Sequence, residues 1–223
     1  MRDVTAPALI ITADDYGYSR VYDRGILEAA QAGAIDAVSA FAGPQREVDP
    51  GPLGTSGVEV GLHLELAPGA DPATQLLRQL DAFESLYGRP PAYLDGHRHR
   101  HARRPFAVHV ARIARERGLP VRSVDSRQRR TLRCLGVPTP DRLIGRGREG
   151  DAAMPREIGA IVRGDPAPSA VIEWMTHPGH RDPGSGSSYD AGREEDLRLL
   201  LGLREEPALL AIRRNHREAL TED

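Results

Sequence analysis

The sequence contains no lysine: all thirty basic side chains of its 223 residues are arginine. That excludes Schiff-base chemistry on a lysine, and it excludes a nucleotide-binding P-loop, whose lysine reaches the phosphates. Cysteine is nearly absent too. Cys134 alone cannot close an internal disulfide, so a reducing compartment is expected. It stands among Arg133, Leu135 and Gly136 with no histidine close in sequence, which argues against a thiol nucleophile. Long apolar runs are missing as well. The run Ala6–Ala13, with Thr12 inside it, is far too short to span a bilayer. The first residues show no basic segment followed by an apolar one, so no signal peptide is expected and the location read from the sequence is cytoplasmic. With a net charge of −2, no global field draws the chain to nucleic acid.

What is present reads as one soluble α/β domain over residues 1–223, with 39% hydrophobic and 28% charged residues. Short apolar runs predict strands at Ala8–Ala13, Ala37–Ala42, Ala92–Asp95, Val121–Val124 and Val171–Met175. Alternation predicts another at Val58–Leu66. Helical spacing covers Tyr22–Ala32, Ala73–Tyr87, Phe106–Arg117, Pro155–Val162, Arg193–Leu203 and Pro207–Arg214, with Gly33, Gly88 and Gly118 as stops. The Arg- and Gly-rich stretch Arg127–Ala153 reads as loop with a short element. Strands alternating with helices predict a parallel sheet with helical crossovers. Residues with chemical potential follow strands along the whole chain. That distribution fits a closed or nearly closed barrel better than an open sheet with one switch point.

Four constellations carry the chemistry. In Ala13-Asp14-Asp15-Tyr16-Gly17, two adjacent carboxylates at a strand end are costly unless they share a cation or proton. Neighbouring strand residues point to opposite faces, so both reach one site only if the chain turns, and Gly17 is placed to make that turn. The plainer alternative is a cap on the following helix. His63, inside the apolar GLHL, is either a core histidine or a ligand. By parity it shares a face with Glu59 and Glu65, which read as the solvent side. In Asp95-Gly96-His97-Arg98-His99-Arg100-His101, three histidines at period two share a face if the chain stays extended. The alternative is a basic loop or nucleic-acid patch, against which stands the scarcity of interleaved aromatics. His177, before Pro178-Gly179-His180, is placed either as a proton donor or acceptor or as a turn histidine. Together these supply carboxylates and imidazoles from separate strand ends, the donor set of a divalent metal site with open positions.

ITADDYG, GLHLEL, LDGHRHRH and EWMTHPGH, in this order, resemble the YdjC-like carbohydrate deacetylases, which include chitooligosaccharide and hopanoid-associated deacetylases. The likeness runs from Ile10 to Tyr189-Asp190-Ala191-Gly192-Arg193-Glu194 at the start of the last helices. It implies a distorted (β/α) barrel like that of polysaccharide deacetylases. It implies one divalent metal ion, Mg²⁺ or Zn²⁺, held by Asp15, His63 and His97, with Asp14 as general base and His177 as acid or substrate contact. The substrate it implies is an N-acetylated sugar or glycoconjugate, with no nucleic acid as partner. Gly96 stands where the family usually has serine. The stretch from His63 to Asp95 is shorter than in the relatives, which leaves one side of the cleft without a lid, open to a bulky acceptor or to a partner subunit in a homodimer. Another metal-dependent hydrolase, such as a phosphoesterase, would use the same ligands. Arg122, Arg127, Arg129, Arg130 and Arg133 read as a solvated surface or as a fork for an anionic substrate group. No role is assigned to His99, His101 or His180.

Overall fold

A computed structural model describes residues 7–43, 46, 48–147, 153–165 and 170–220. The chain opens with β1 (Ala8–Tyr16), α1 (Arg20–Gln31), β2 (Ala37–Ala40), α2 (Gly51–Thr55), β3 (Glu59–Leu64) and α3 (Pro72–Tyr87). It continues with β4 (Leu94–Gly96), a 3₁₀ turn over His97–Ala102, α4 (Phe106–Arg117), α5 (Ser126–Cys134), β5 (Arg142–Ile144) and α6 (Met154–Val162). β6 (Val171–Thr176), α7 (Arg193–Leu203), α8 (Pro207–Ile212) and α9 (His216–Leu220) complete it. The strands form one sheet in the order β4-β3-β2-β1-β6-β5, and every pairing between them is parallel. This is the curled sheet of a distorted (β/α) barrel. No helix among the described residues is long and apolar enough to cross a membrane.

Alternation along β1 separates the two faces of the sheet. Leu9, Ile11 and Ala13 belong to the large apolar cluster with Ile26, Ala29 and Ala30 of α1. Ile10 packs on the other face, with Ala37, Tyr93, Val171 and Ala219. That inner face is capped by α9 below and turns polar higher up, where Thr12, Ser39, His63, Asp95 and Glu173 are buried. Two glycines set the spacing. A Cβ on Gly61 of β3 would lie 2.3 Å from the Tyr93 ring, and one on Gly25 of α1 would lie 2.5 Å from the Gly179 backbone. The first makes room inside the barrel. The second lets α1 press against the turn after β6 that carries His177.

Three expectations need correction. Val121–Val124 is no strand; Val121 makes one isolated bridge to Leu94. The remaining strand is instead β5 at Arg142–Ile144, inside the stretch Arg127–Ala153 expected to be mostly loop, and α5 at Ser126–Cys134 takes up the start of that stretch. Residues 148–152 of that stretch lie outside the described residues. Glu59, expected on the solvent side, faces the barrel interior with a side chain only 11% exposed. The parity with His63 therefore places Glu59 in a charged interior, while Glu65, past the strand end with a side chain 37% exposed, does reach solvent.

Candidate active site

At its end β1 breaks register with β2, between Ala13 and Tyr16. Asp15 itself takes the left-handed backbone, with φ 75°, two residues before the Gly17 to which the turn was ascribed. Such a conformation costs a non-glycine residue about 1–3 kcal/mol and marks functional sites when the surroundings enforce it. Here it turns both carboxylates toward one cavity. The helix-cap alternative does not hold, because Ser19 caps α1, its hydroxyl accepting from the Val21 N–H at 3.2 Å.

Asp15 is the meeting point of three strand ends. Its Oδ1 lies 3.3 Å from His63 Nε2 and 3.1 Å from His97 Nδ1, and the three donor atoms lie within 4.8 Å of one another. Its Oδ2 accepts from Arg193 Nη2 at 2.6 Å, which leaves Oδ1 to the imidazoles. His63 Nδ1 donates to Asp95 Oδ1 at 2.8 Å, which turns the Nε2 edge of the ring toward Asp15. One carboxylate and two imidazoles, the first imidazole oriented by a second carboxylate, fit a divalent ion with coordination positions left open. The electrostatics agree. Burial pushes the Asp15 carboxyl up, but hydrogen bonds from His63 and His97 outweigh it and hold the group well below the carboxylate range. Burial pushes His63 down, yet Asp95 and the bond to Asp15 raise it to about 10, so a cation is favoured at this spot.

Behind the donors lies Asp14. Arg122 Nη1 and Nη2 donate to its two oxygens at 2.6 and 2.8 Å. The same guanidinium reaches Asp95 Oδ2 at 2.8 Å, and its Nε donates to Glu173 Oε1 at 2.9 Å. Arg122 is fully buried, so for this residue the solvated-surface reading is wrong. Arg127, Arg130 and Arg133 are exposed on α5 and Arg129 is half-buried there, none of them lining the cavity. The three histidines do not share a face. Arg98 and His99 take left-handed φ of 54° and 55°, which curls the stretch. His97 joins Asp15, while His101 is buried with its Nε2 donating to the Arg122 carbonyl at 3.0 Å. His99 lines the cavity, and burial together with nearby Arg122 pushes its pKa down to about 2, so it is neutral.

His177 enters from the end of β6. Its backbone N–H donates to Asp196 Oδ2 of α7 at 2.9 Å, and its Nε2 lies 3.9 Å from Asp15 Oδ2. The Tyr189 ring stands 5.1 Å away. His180 lies apart from this group, 3.3 Å from Glu28 on the surface. Asp14, Asp15, His63, His97 and His177 therefore line one cavity of about 520 Å³, with Ser187, Ser188 and Tyr189 among its other walls.

The family model for YdjC-like proteins matches residues 8–75 and 70–206. The chain belongs to the YdjC-like family. It is 30% identical to a carbohydrate deacetylase of Geobacillus stearothermophilus over 91% of each chain, and 26% identical to a chitooligosaccharide deacetylase of Serratia marcescens over 78% of this chain and 82% of that one. In fold it is similar to an Enterococcus faecalis protein described as a candidate cellobiose-phosphate cleavage protein, with a TM-score of 0.77 and 18% identity over 97% of this chain and all of that one. The roles of two arginines of this YdjC-like site were not legible in the sequence, although Arg122 is named there as a surface residue or an anion fork. Arg193 lay within the YDAGRE motif, assigned only to a helix start. Arg122 had no local signal, because its partners sit on β1, β4 and β6.

Proposed function

We propose that this YdjC-like protein hydrolyses the N-acetyl group of an N-acetylated sugar or glycoconjugate with the help of a divalent ion, releasing acetate and the free amine. The observation that carries it is the convergence of Asp15, His63 and His97 beside an arginine-held second carboxylate in one cavity. The deacetylase names of the relatives support the same reading.

Asp15, His63 and His97 would hold the ion. Two imidazoles favour Zn²⁺, and the family resemblance also admits Mg²⁺. When bound, such an ion supplies Lewis-acid polarisation of the acetyl carbonyl and lowers the pKa of a water. Asp14 accepts the proton of the attacking water as the C–O bond forms. Arg122 fixes the plane of that carboxylate through two hydrogen bonds, so its lone pairs are presented in one orientation. Asp95 holds His63, and Arg193 holds Asp15, in the poses that leave their remaining donor atoms convergent. His177 gives a proton to the sugar nitrogen as the C–N bond breaks, since an amine leaves badly as an anion. Asp196 positions His177 through its backbone. The exposed free thiol of Cys134 supports a reducing, cytoplasmic location.

A mass-spectrometric screen of N-acetylated sugars, with and without a chelator, tests this. Loss of an acetyl group that the chelator abolishes is the expected result. Phosphate release from phosphorylated sugars, with acetate absent throughout, would instead identify a phosphoesterase.

A further inference from the structure

The barrel interior holds a second charged group that the proposed chemistry does not use, at the end away from the cavity. After α8 the chain passes under the sheet, where Arg214 N donates to the Leu9 carbonyl at 2.9 Å and Arg213 is held by Asp36 at 2.8 Å. His216 then inserts upward into the barrel. Its backbone N–H donates to Glu59 Oε2 at 2.8 Å, its Nδ1 lies 3.1 Å from the same oxygen, and its ring stacks on Tyr93 at 3.7 Å. Its Nε2 lies 3.5 Å from Glu173 Oε1. That oxygen is the one that accepts from Arg122 Nε at 2.9 Å, and Arg122 in turn grips Asp14. A continuous buried path of alternating charge therefore joins the C-terminal segment to the proposed base.

We propose that His216 is a positioning residue for Asp14, acting through Glu173 and Arg122 from the opposite end of the barrel.

Charge balance couples the two ends of this path. Arg122 is a single cation with three carboxylates within 2.9 Å: Asp14, Asp95 and Glu173. Each of these needs a compensating charge, because a buried charge left unpaired is strongly destabilising. Asp95 has His63 as a second partner. Glu173 has His216, besides a hydrogen bond from the Thr12 hydroxyl at 3.1 Å. The charged and titratable groups around His216 are Glu59 on β3, Glu173 on β6, Tyr93 before β4, and the Asp36–Arg213 pair at the strand bottoms. Burial pushes the imidazole down, but Glu173 and Glu59 raise it to about 9, so it is a cation at neutral pH. With that cation removed, Glu173 draws harder on Arg122. The guanidinium is rigid and planar, so a shift toward Glu173 at Nε loosens the two bonds that its far end makes to Asp14.

The proposal rests on the deacetylase reading for its kinetic test and on spectroscopy for a test that does not need it. In metal-loaded protein, His216→Gln is expected to lower kcat roughly tenfold, the scale of a slightly misplaced catalytic group, with KM and metal content unchanged. The double variant His216→Gln, Glu173→Gln removes both charges and is expected to recover kcat to within about threefold of the parent. Independently of any substrate, the Arg122 Nε–H resonance in ¹⁵N-arginine-labelled protein is expected to move in His216→Gln and to move again on adding Glu173→Gln. A His216→Gln protein that loses only thermal stability, with kcat per folded chain intact, overturns the proposal. So does an Arg122 Nε–H resonance that stays in place, whatever the substrate proves to be. If the resonance responds while no N-acetylated sugar is hydrolysed, the coupling stands and the deacetylase reading fails.

Discussion

Arg122 meets Asp14 through both terminal nitrogens, at 2.6 and 2.8 Å from its two oxygens; the guanidinium is fully buried, while the buried carboxylate still borders the cavity. The next residue along, Asp15, makes a different set of contacts, with its oxygens divided between His63 and His97 on one side and Arg193 on the other. Two adjacent aspartates are thus separated in role by their partners. Asp14→Asn is expected to retain the metal and lose about two to four orders of magnitude in turnover, because an amide accepts no proton from water. Asp15→Asn is expected to weaken metal binding first. Metal content and kcat measured on both variants check this, and the reverse pattern would exchange the two assignments.

His63 and His97 contribute one ring nitrogen each to the same oxygen of Asp15. Replacing either with alanine removes one of three donors and should lower the bound metal from about one ion per chain. Chelation should abolish activity, and added Zn²⁺ or Mg²⁺ should restore it. Asp95→Ala, which removes the acceptor at the far nitrogen of His63, should weaken the ion about 10–100-fold without removing a ligand. Elemental analysis after dialysis separates these cases; full occupancy in both histidine variants would show that the ligands lie elsewhere.

The convergence of Asp15, His63 and His97 was legible because strand ends and histidine motifs coincide, so these candidate ligands could be picked out from pattern and resemblance. The surrounding charge was not. Arg122 and Glu59 look like surface residues in any local window, since only a barrel interior brings carboxylates of β1, β4 and β6 around Arg122 and sets Glu59 of β3 against His216. The period-two reading of His97, His99 and His101 failed because two residues, Arg98 and His99, adopt a left-handed backbone that local propensity does not favour. The strand Arg142–Ile144 was missed because three residues carry no readable period, and its outer position leaves Arg142 exposed.

Among the described residues, the arginines that reach the cavity are Arg98, Arg103 and Arg146, not those of α5. They stand beside the proposed ligands, where a phosphate or carboxylate on the sugar would meet planar guanidinium forks. Anionic N-acetyl sugars are therefore expected to outperform neutral ones at low salt, with the advantage shrinking at high salt as exposed charges are screened. Replacing Arg98 and Arg146 together with glutamine should remove that advantage while leaving the neutral substrate almost untouched. Equal rates for both substrate types at both salt concentrations would leave these arginines as a solvated rim.

The buried His216 also ties stability to pH. Its pKa is raised from 6.5 to about 9, so its contribution is fully present below pH 6.5 and is lost as pH rises through about 9. The metal-loaded protein should lose stability between pH 7 and pH 10, by up to about 3 kcal/mol from this residue, read as a falling melting temperature. His216→Gln should show a lower melting temperature at pH 7 and a flatter decline. An unchanged slope in the variant would mean that other groups govern the alkaline limit.

The short connection from His63 to Asp95 predicts a cleft without a lid on that side, and the structure shows what lies there. A second cavity of about 190 Å³ adjoins the first and shares Tyr18, His97 and Arg98 with it, its other walls being Arg46, Glu65, Leu66 and Arg100. Arg46 crosses it, paired with Glu65 and lying 4.8 Å from the centre of the Tyr18 ring. A substrate longer than one sugar can place its acetylated unit at Asp14 and Asp15 and extend along this side. Contacts made there are remote from the reacting bond and hold it in position, so they raise turnover as well as binding. N-acetylglucosamine alone is therefore expected to turn over far more slowly than a disaccharide or larger glycoconjugate. Arg46→Ala should erase much of that length preference with little effect on the monosaccharide. Measuring kcat/KM across a length series, in the parent and in Arg46→Ala, decides the matter. A monosaccharide as good as the best conjugate would place the whole substrate inside the first cavity and leave the second without a part in catalysis.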